Sequence, residues 1–131
     1  MTESKKAIEV AVGVIVRGEH IFLTKRAEHS HQGGKWEFPG GKREANETMP
    51  EALARELQEE GGISIASPSP LLEIRHNYPD KSVFLDVYIV DDFTGEPTPQ
   101  EGQVGDWFER KKLAEMDFPE ANKVIIEKLL N

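Results

Sequence analysis

Thr48-Met49-Pro50-Glu51-Ala52-Leu53-Ala54-Arg55-Glu56-Leu57-Gln58-Glu59-Glu60-Gly61-Gly62 reads as one amphipathic helix with both ends marked. Thr48 and Glu51 have the spacing of a capping box, in which a hydroxyl and a carboxylate each satisfy a backbone N–H that the helix leaves without a partner. Pro50 falls in the first turn, where a missing N–H does little harm. Met49, Leu53 and Leu57 recur every four residues and predict a buried stripe. Gly61 and Gly62 end the helix, because glycine tolerates the left-handed backbone found there.

The polar side of this helix carries the chemistry. Glu56, Glu59 and Glu60 stand at i, i+3 and i+4, on one face, where like charges repel by roughly a few tenths of a kcal/mol per pair. Two readings are open: a solvated acidic face, or a site whose repulsion a divalent cation reverses. Magnesium suits the second, since it takes a few carboxylates together with substrate phosphate oxygens. Glu47, ahead of the helix, is placed to pair with Arg55 and hold loop to helix. Gly40-Gly41 would let backbone come close to an ion or a phosphate.

Outward from the helix, Ala7 to Val16 is β-branched and almost wholly apolar, and predicts a strand buried on both faces. Gly18-Glu19-His20 is a turn, and Ile21 to Arg26 a returning strand. A polar loop over Glu28 to Gly34 leads to a short strand, Lys35 to Phe38. Leu71 to Tyr78 and Ser82 to Val90 read as two strands joined at Tyr78-Pro79-Asp80-Lys81. Thr94 to Gly105 is loop-like, and Asp106 to Phe108 a short strand. Asp117-Phe118-Pro119-Glu120 reads as a second capping signal, opening a helix with Val124, Ile125, Leu129 and Leu130 inward. The expected fold class is α+β, a sandwich with a mixed β-sheet.

The whole-chain numbers narrow the function. The 131 residues, 37% apolar and 31% charged, suit one soluble domain spanning 1–131. No apolar run is long enough to span a bilayer, and Met1 to Lys6 has no apolar signal core, so the expectation is a cytoplasmic protein that does not engage membranes. The absence of cysteine excludes disulfides and thiolate zinc sites. A net charge of −8 disfavours nucleic-acid polymers as partners. With no long apolar patch evident, a monomer is expected.

From Gly41 through Glu47, Arg55, Glu56, Leu57, Glu59, Glu60 and Gly62 to Ile63, the chain meets every specified position of the Nudix box. Seven fixed identities and two aliphatic positions would coincide by chance in well under roughly one chain in a million. The chain therefore resembles the Nudix hydrolases. Trp36 to Lys42, Tyr78-Pro79-Asp80, Gly95-Glu96-Pro97, Glu101-Gly102-Gln103 and Asp117 to Asn122 are similar to the MutT branch, which removes 8-oxo-dGTP from the nucleotide pool. The similarity runs from about Ile8 to Leu130.

The resemblance implies a Nudix-like α/β/α sandwich and a Mg2+ cofactor, with Mn2+ as a substitute. It implies metal ligands at Glu56, Glu59, Glu60, Glu101 and the carbonyl of Gly40, with Arg55 in the catalytic set. The family reaction is attack by water on the β-phosphorus of a nucleoside triphosphate, giving monophosphate and pyrophosphate. Glu56 and Glu101 are the candidates for the base, with Glu56 favoured. For substrate binding the resemblance points to Asn122 on the guanine edge, Phe38 in the base pocket, and Arg26 and His31 against the nucleotide. Tyr78 and Lys81 stand where the best-known MutT-like pattern has phenylalanine and arginine, so a lysine there keeps charge but loses the planar fork. The competing expectations are another Nudix substrate (unmodified dNTPs, ADP-ribose or a dinucleoside polyphosphate) and a non-catalytic nucleotide-binding module.

Overall fold

A computed structural model of the chain describes residues 8–26, 34–99 and 103–131. Its spine is β1 (Ile8–Arg17), which reads as the sequence predicts: Ala11, Val12, Val14 and Ile15 are all buried. Alternate residues of a strand point to opposite faces, and here each face has its own core. Val12 and Val14 join one, and Ala11 and Ile15 the other.

β7 (Ser82–Val90) runs parallel to β1 from Ile8↔Val83 to Ile15↔Val90. The other edge of β1 is shared antiparallel by β2 (His20–Lys25) and β4 (Gly40–Lys42), with Ile15↔Phe22 and Ala11↔Gly41 as partners. Between them, the Gly13 N–H donates to the Pro39 carbonyl at 2.8 Å. β3 (Trp36–Glu37) and β9 (Gly105–Glu109) pair with β2, and β6 (Ser69–Asn77) pairs antiparallel with β7. The result is a seven-stranded mixed sheet among the described residues, ordered β3-β2-β1-β7-β6 with β4 and β9 alongside.

α1 (Met49–Gly61) covers one face, burying Ala52, Leu53 and Leu57. Both halves of the capping box form, and Gly62 closes the helix in the left-handed region at φ 73°. The opposite face is covered by Phe118, Ala121 and α2 (Lys123–Leu130). Helices on both faces of a mixed sheet make the expected α/β/α sandwich. A two-residue ladder, β5 (Ser64–Ile65) with β8 (Phe93–Thr94), secures the chain beyond α1. Among the described residues no helix is long and apolar enough to cross a membrane.

Three expectations are corrected. Asp117 does not cap a helix: the chain passes Pro119, makes a 3₁₀ turn over Glu120–Asn122, and only then enters α2. The inward residues of α2 are Ile125, Ile126 and Leu129, whereas Val124 and Leu130 are 46% and 41% exposed. The register is set by the buried Ala121, from which Ile125 and Leu129 follow at four-residue steps. Thr94 to Gly105 is not wholly loop, since Thr94 belongs to β8, and Arg110–Glu115 forms a further 3₁₀ segment.

Candidate active site

The loop from β4 to α1 is organised around Arg55. Its Nε and Nη2 donate to the two oxygens of Glu47 at 2.6 and 3.0 Å, the bidentate pairing that a guanidinium fork favours. Nη2 also reaches the Lys42 carbonyl at 3.1 Å. Nη1 faces Glu56 at 3.1 Å and Glu59 at 3.3 Å. Glu47 further accepts from the Glu44 N–H at 2.9 Å, and Arg43 donates to the Glu47 carbonyl at 3.0 Å. The bonds from Arg55 and from the Glu44 N–H, with the charges of Arg55 and Arg43, hold the Glu47 carboxyl down to about 2. The anticipated Glu47–Arg55 pair thus forms, and it ties the loop to the middle of the helix.

The three glutamates of the helix fan out rather than closing on one point, and no ready cluster of three such donors occurs among the described residues. Glu56 is half-buried against Gly41, where an added Cβ would overlap its carboxylate. Burial pushes the Glu56 carboxyl up, Arg55 opposes this, and Glu60 and Glu59 add to the rise. Glu60 lines a cavity of about 90 Å³ together with Gly40 and Gln103. Gly40 admits no side chain, because its Cβ would strike the Ala11 carbonyl oxygen. Hard oxygen donors beside a partly desolvated, mutually repelling set of carboxylates fit a divalent cation.

A second cavity, of about 250 Å³, brings together Arg26, Phe38, Tyr78, Lys81 and Asn122. Phe38 is buried and stacks on Phe118 with centroids 5.4 Å apart, so its ring is both core and pocket wall. Arg26 donates to Glu37 at 2.6 Å. Lys81 closes the turn with Tyr78 through paired backbone bonds of 2.7 and 3.3 Å. Tyr78 turns its hydroxyl to the Ala121 N–H, at 2.9 Å. Asn122 is half-buried, and its side chain makes no capping bond to α2. Five of the six substrate-binding candidates therefore meet in one cavity; His31, like Glu101 of the metal set, lies outside the described residues.

The model of the NUDIX domain matches residues 11–128. The chain belongs to the Nudix family. This Nudix chain is 43% identical over 126 residues to an 8-oxo-dGTP diphosphatase of Escherichia coli, covering 95% of itself and 97% of that protein. It is 32% identical over 122 residues to the CTP pyrophosphohydrolase of the same organism, covering 93% and 90%. A solved structure from a study of MutT of Aliivibrio salmonicida and Vibrio cholerae superposes with a TM-score of 0.83 at 37% identity, covering 95% of this chain and 98% of that one. Nudix hydrolases in general work with a divalent metal ion, in keeping with the donor set described above.

One residue of this Nudix site escapes a reading of the sequence by its box. Glu37 lines both cavities, as does Gly40. Burial raises its carboxyl above the ordinary range, against the pull of Arg26 and a hydrogen bond with Thr24. An acid between Trp36 and Phe38 was the available signal, but its importance comes from two cavities that meet only in the fold.

Proposed function

We propose that this Nudix protein hydrolyses nucleoside triphosphates to monophosphate and pyrophosphate, with Mg2+ and with a preference for 8-oxo-dGTP. The observation that carries this reading is the adjacency of the two cavities, one lined by Glu60 of the box and one by Phe38 and Asn122, sharing Glu37 and Gly40 as a common wall. A nucleotide lying across that wall would put its base in the larger cavity and its phosphates beside α1. The identity to an 8-oxo-dGTP diphosphatase over nearly the whole chain supports the same substrate.

Glu56, Glu59, Glu60, Glu101 and the Gly40 carbonyl would hold the cation. Mg2+, when bound, supplies neutralisation of phosphate charge and acidifies water. Glu56 is the proposed base: a carboxyl raised by burial is a better proton acceptor than an exposed one. The water oxygen bonds to the β-phosphorus, the bond from that phosphorus to the oxygen bridging to the α-phosphate breaks, and that oxygen leaves with the monophosphate. The proton of the water passes to Glu56. Arg55 keeps loop and helix in register while this happens. Asn122 offers a donor and an acceptor to a purine edge, which a single amide can do. The protein is taken to work as a cytoplasmic monomer on free nucleotides.

Steady-state kinetics on 8-oxo-dGTP, dGTP, CTP and ADP-ribose test the substrate. We expect kcat/KM for 8-oxo-dGTP to exceed that for dGTP by at least about tenfold, with turnover abolished by EDTA and restored by Mg2+. A smaller ratio overturns the 8-oxo preference. CTP as the best substrate would favour the activity of the second relative instead.

A further inference from the structure

We propose that Tyr78 is a positioning residue for base recognition: its hydroxyl straps the 3₁₀ turn that delivers Asn122 to the base cavity. The proposal rests on the assignment of Asn122 to the base. Tyr78 follows β6 and begins the turn to β7, so it is fixed to the sheet. Its ring meets His76 edge-on, with centroids 4.5 Å apart. From there the hydroxyl accepts the Ala121 N–H at 2.9 Å, joining segments 43 residues apart.

The turn needs such an anchor. Its own closing bond, from the Asn122 N–H to the Pro119 carbonyl at 2.9 Å, shapes it but does not place it against the sheet. Upstream, the Trp36 N–H donates to the Asp117 carbonyl at 2.8 Å, and Phe118 stacks on Phe38. These fix the entrance of the segment. Tyr78 fixes its far end, one residue before Asn122, and does so at the N–H of a buried alanine, a donor that needs a partner. Asn122 stands at the N-cap position of α2 but its side chain makes no capping bond there, and the residue lines the cavity. Burial pushes the Tyr78 hydroxyl up, so it stays protonated throughout the neutral range. The MutT-like pattern has phenylalanine here, which cannot form this bond.

Tyr78→Phe removes the hydroxyl and leaves the ring. Tyr88→Phe is the control, because the Tyr88 hydroxyl bonds Asp86 at 2.7 Å and its ring belongs to the core beneath α1. Two readouts are taken: hydrogen exchange of the Ala121 amide in nucleotide-free protein, and KM and kcat on whichever nucleotide the wild type prefers. We expect Tyr78→Phe to speed Ala121 exchange roughly tenfold and to raise KM roughly threefold to tenfold, with kcat within about twofold, as loss of one hydrogen bond implies. Tyr88→Phe should change neither. The proposal is overturned by unchanged Ala121 exchange, by faster exchange with unchanged KM, or by an equal KM rise in the control. A wrong substrate assignment would appear separately, in the preference of the wild type.

Discussion

Arg55 engages Glu47, Glu56 and Glu59 at once, and only a planar guanidinium has the geometry to do so. The Glu47 carboxyl, held at about 2 against an ordinary 4.5, has a consequence for acid stability. A group whose folded value is depressed contributes stability that is complete above the unfolded value and disappears as pH falls through the folded one. The Tm of the wild type should therefore fall between pH 4.5 and about 2 more steeply than that of Glu47→Gln, and parallel curves from thermal melts would contradict the ion pair's role. Gly41→Ala tests the neighbouring packing. The new Cβ would displace the Glu56 carboxylate, whose flexible end can move, so the fold should survive. We expect kcat to drop by about tenfold or more with Tm little changed, since small misplacements of reacting groups are costly. The glutamate triplet was readable from spacing along one helix, and the Glu47–Arg55 pair from a carboxylate just ahead of it. Glu37 with Arg26 was not, because that pair is made by two strands folding together.

The same contrast holds for the helices. The ends of α1 follow from local chemistry, and both sides of the capping box form, at 2.8 Å from the Thr48 N–H and 3.2 Å to the Thr48 hydroxyl. Thr48→Ala should accordingly cost about 1 kcal/mol of unfolding free energy, measured by urea titration. A loss near zero would mean that tertiary contacts alone hold the first turn. Asp117, another residue of capping type in the same apparent role, failed, because Pro119 and the 3₁₀ turn come between it and α2. The register of α2 was hidden for a related reason. Val124, Ile125, Ile126, Leu129 and Leu130 give apolar residues on more than one side, and the choice falls to Ala121 and Phe118, already committed to the sheet.

Taken together, the sandwich depends on how closely α1 approaches β1. An added Cβ at Gly13 would lie 3.2 Å from a methyl of Leu53 and of Leu57, tighter than ordinary contact. Leu53→Ala should cost roughly 2–5 kcal/mol by opening a cavity at that point. Adding Gly13→Ala to it should recover part of the loss, giving a coupling of at least about 0.5 kcal/mol in a double-mutant cycle. Strict additivity would show that helix and strand do not share this space. Nothing in the sequence announces Gly13 as a contact point, since its neighbour is supplied by a helix that begins 36 residues later, at Met49. The mixed sandwich itself was legible, because a strand apolar on both sides needs a cover for each.

Val12 and Val14 look one way from β1 while Ala11 and Ile15 look the other, so neither core can melt without stripping the strand that roofs its twin. Such a molecule should have no half-folded form in which the face under α1 keeps its packing while the face under α2 has lost it. In native-state exchange the amides of Ala11 to Ile15 should be the last to report, opening only when the entire chain does.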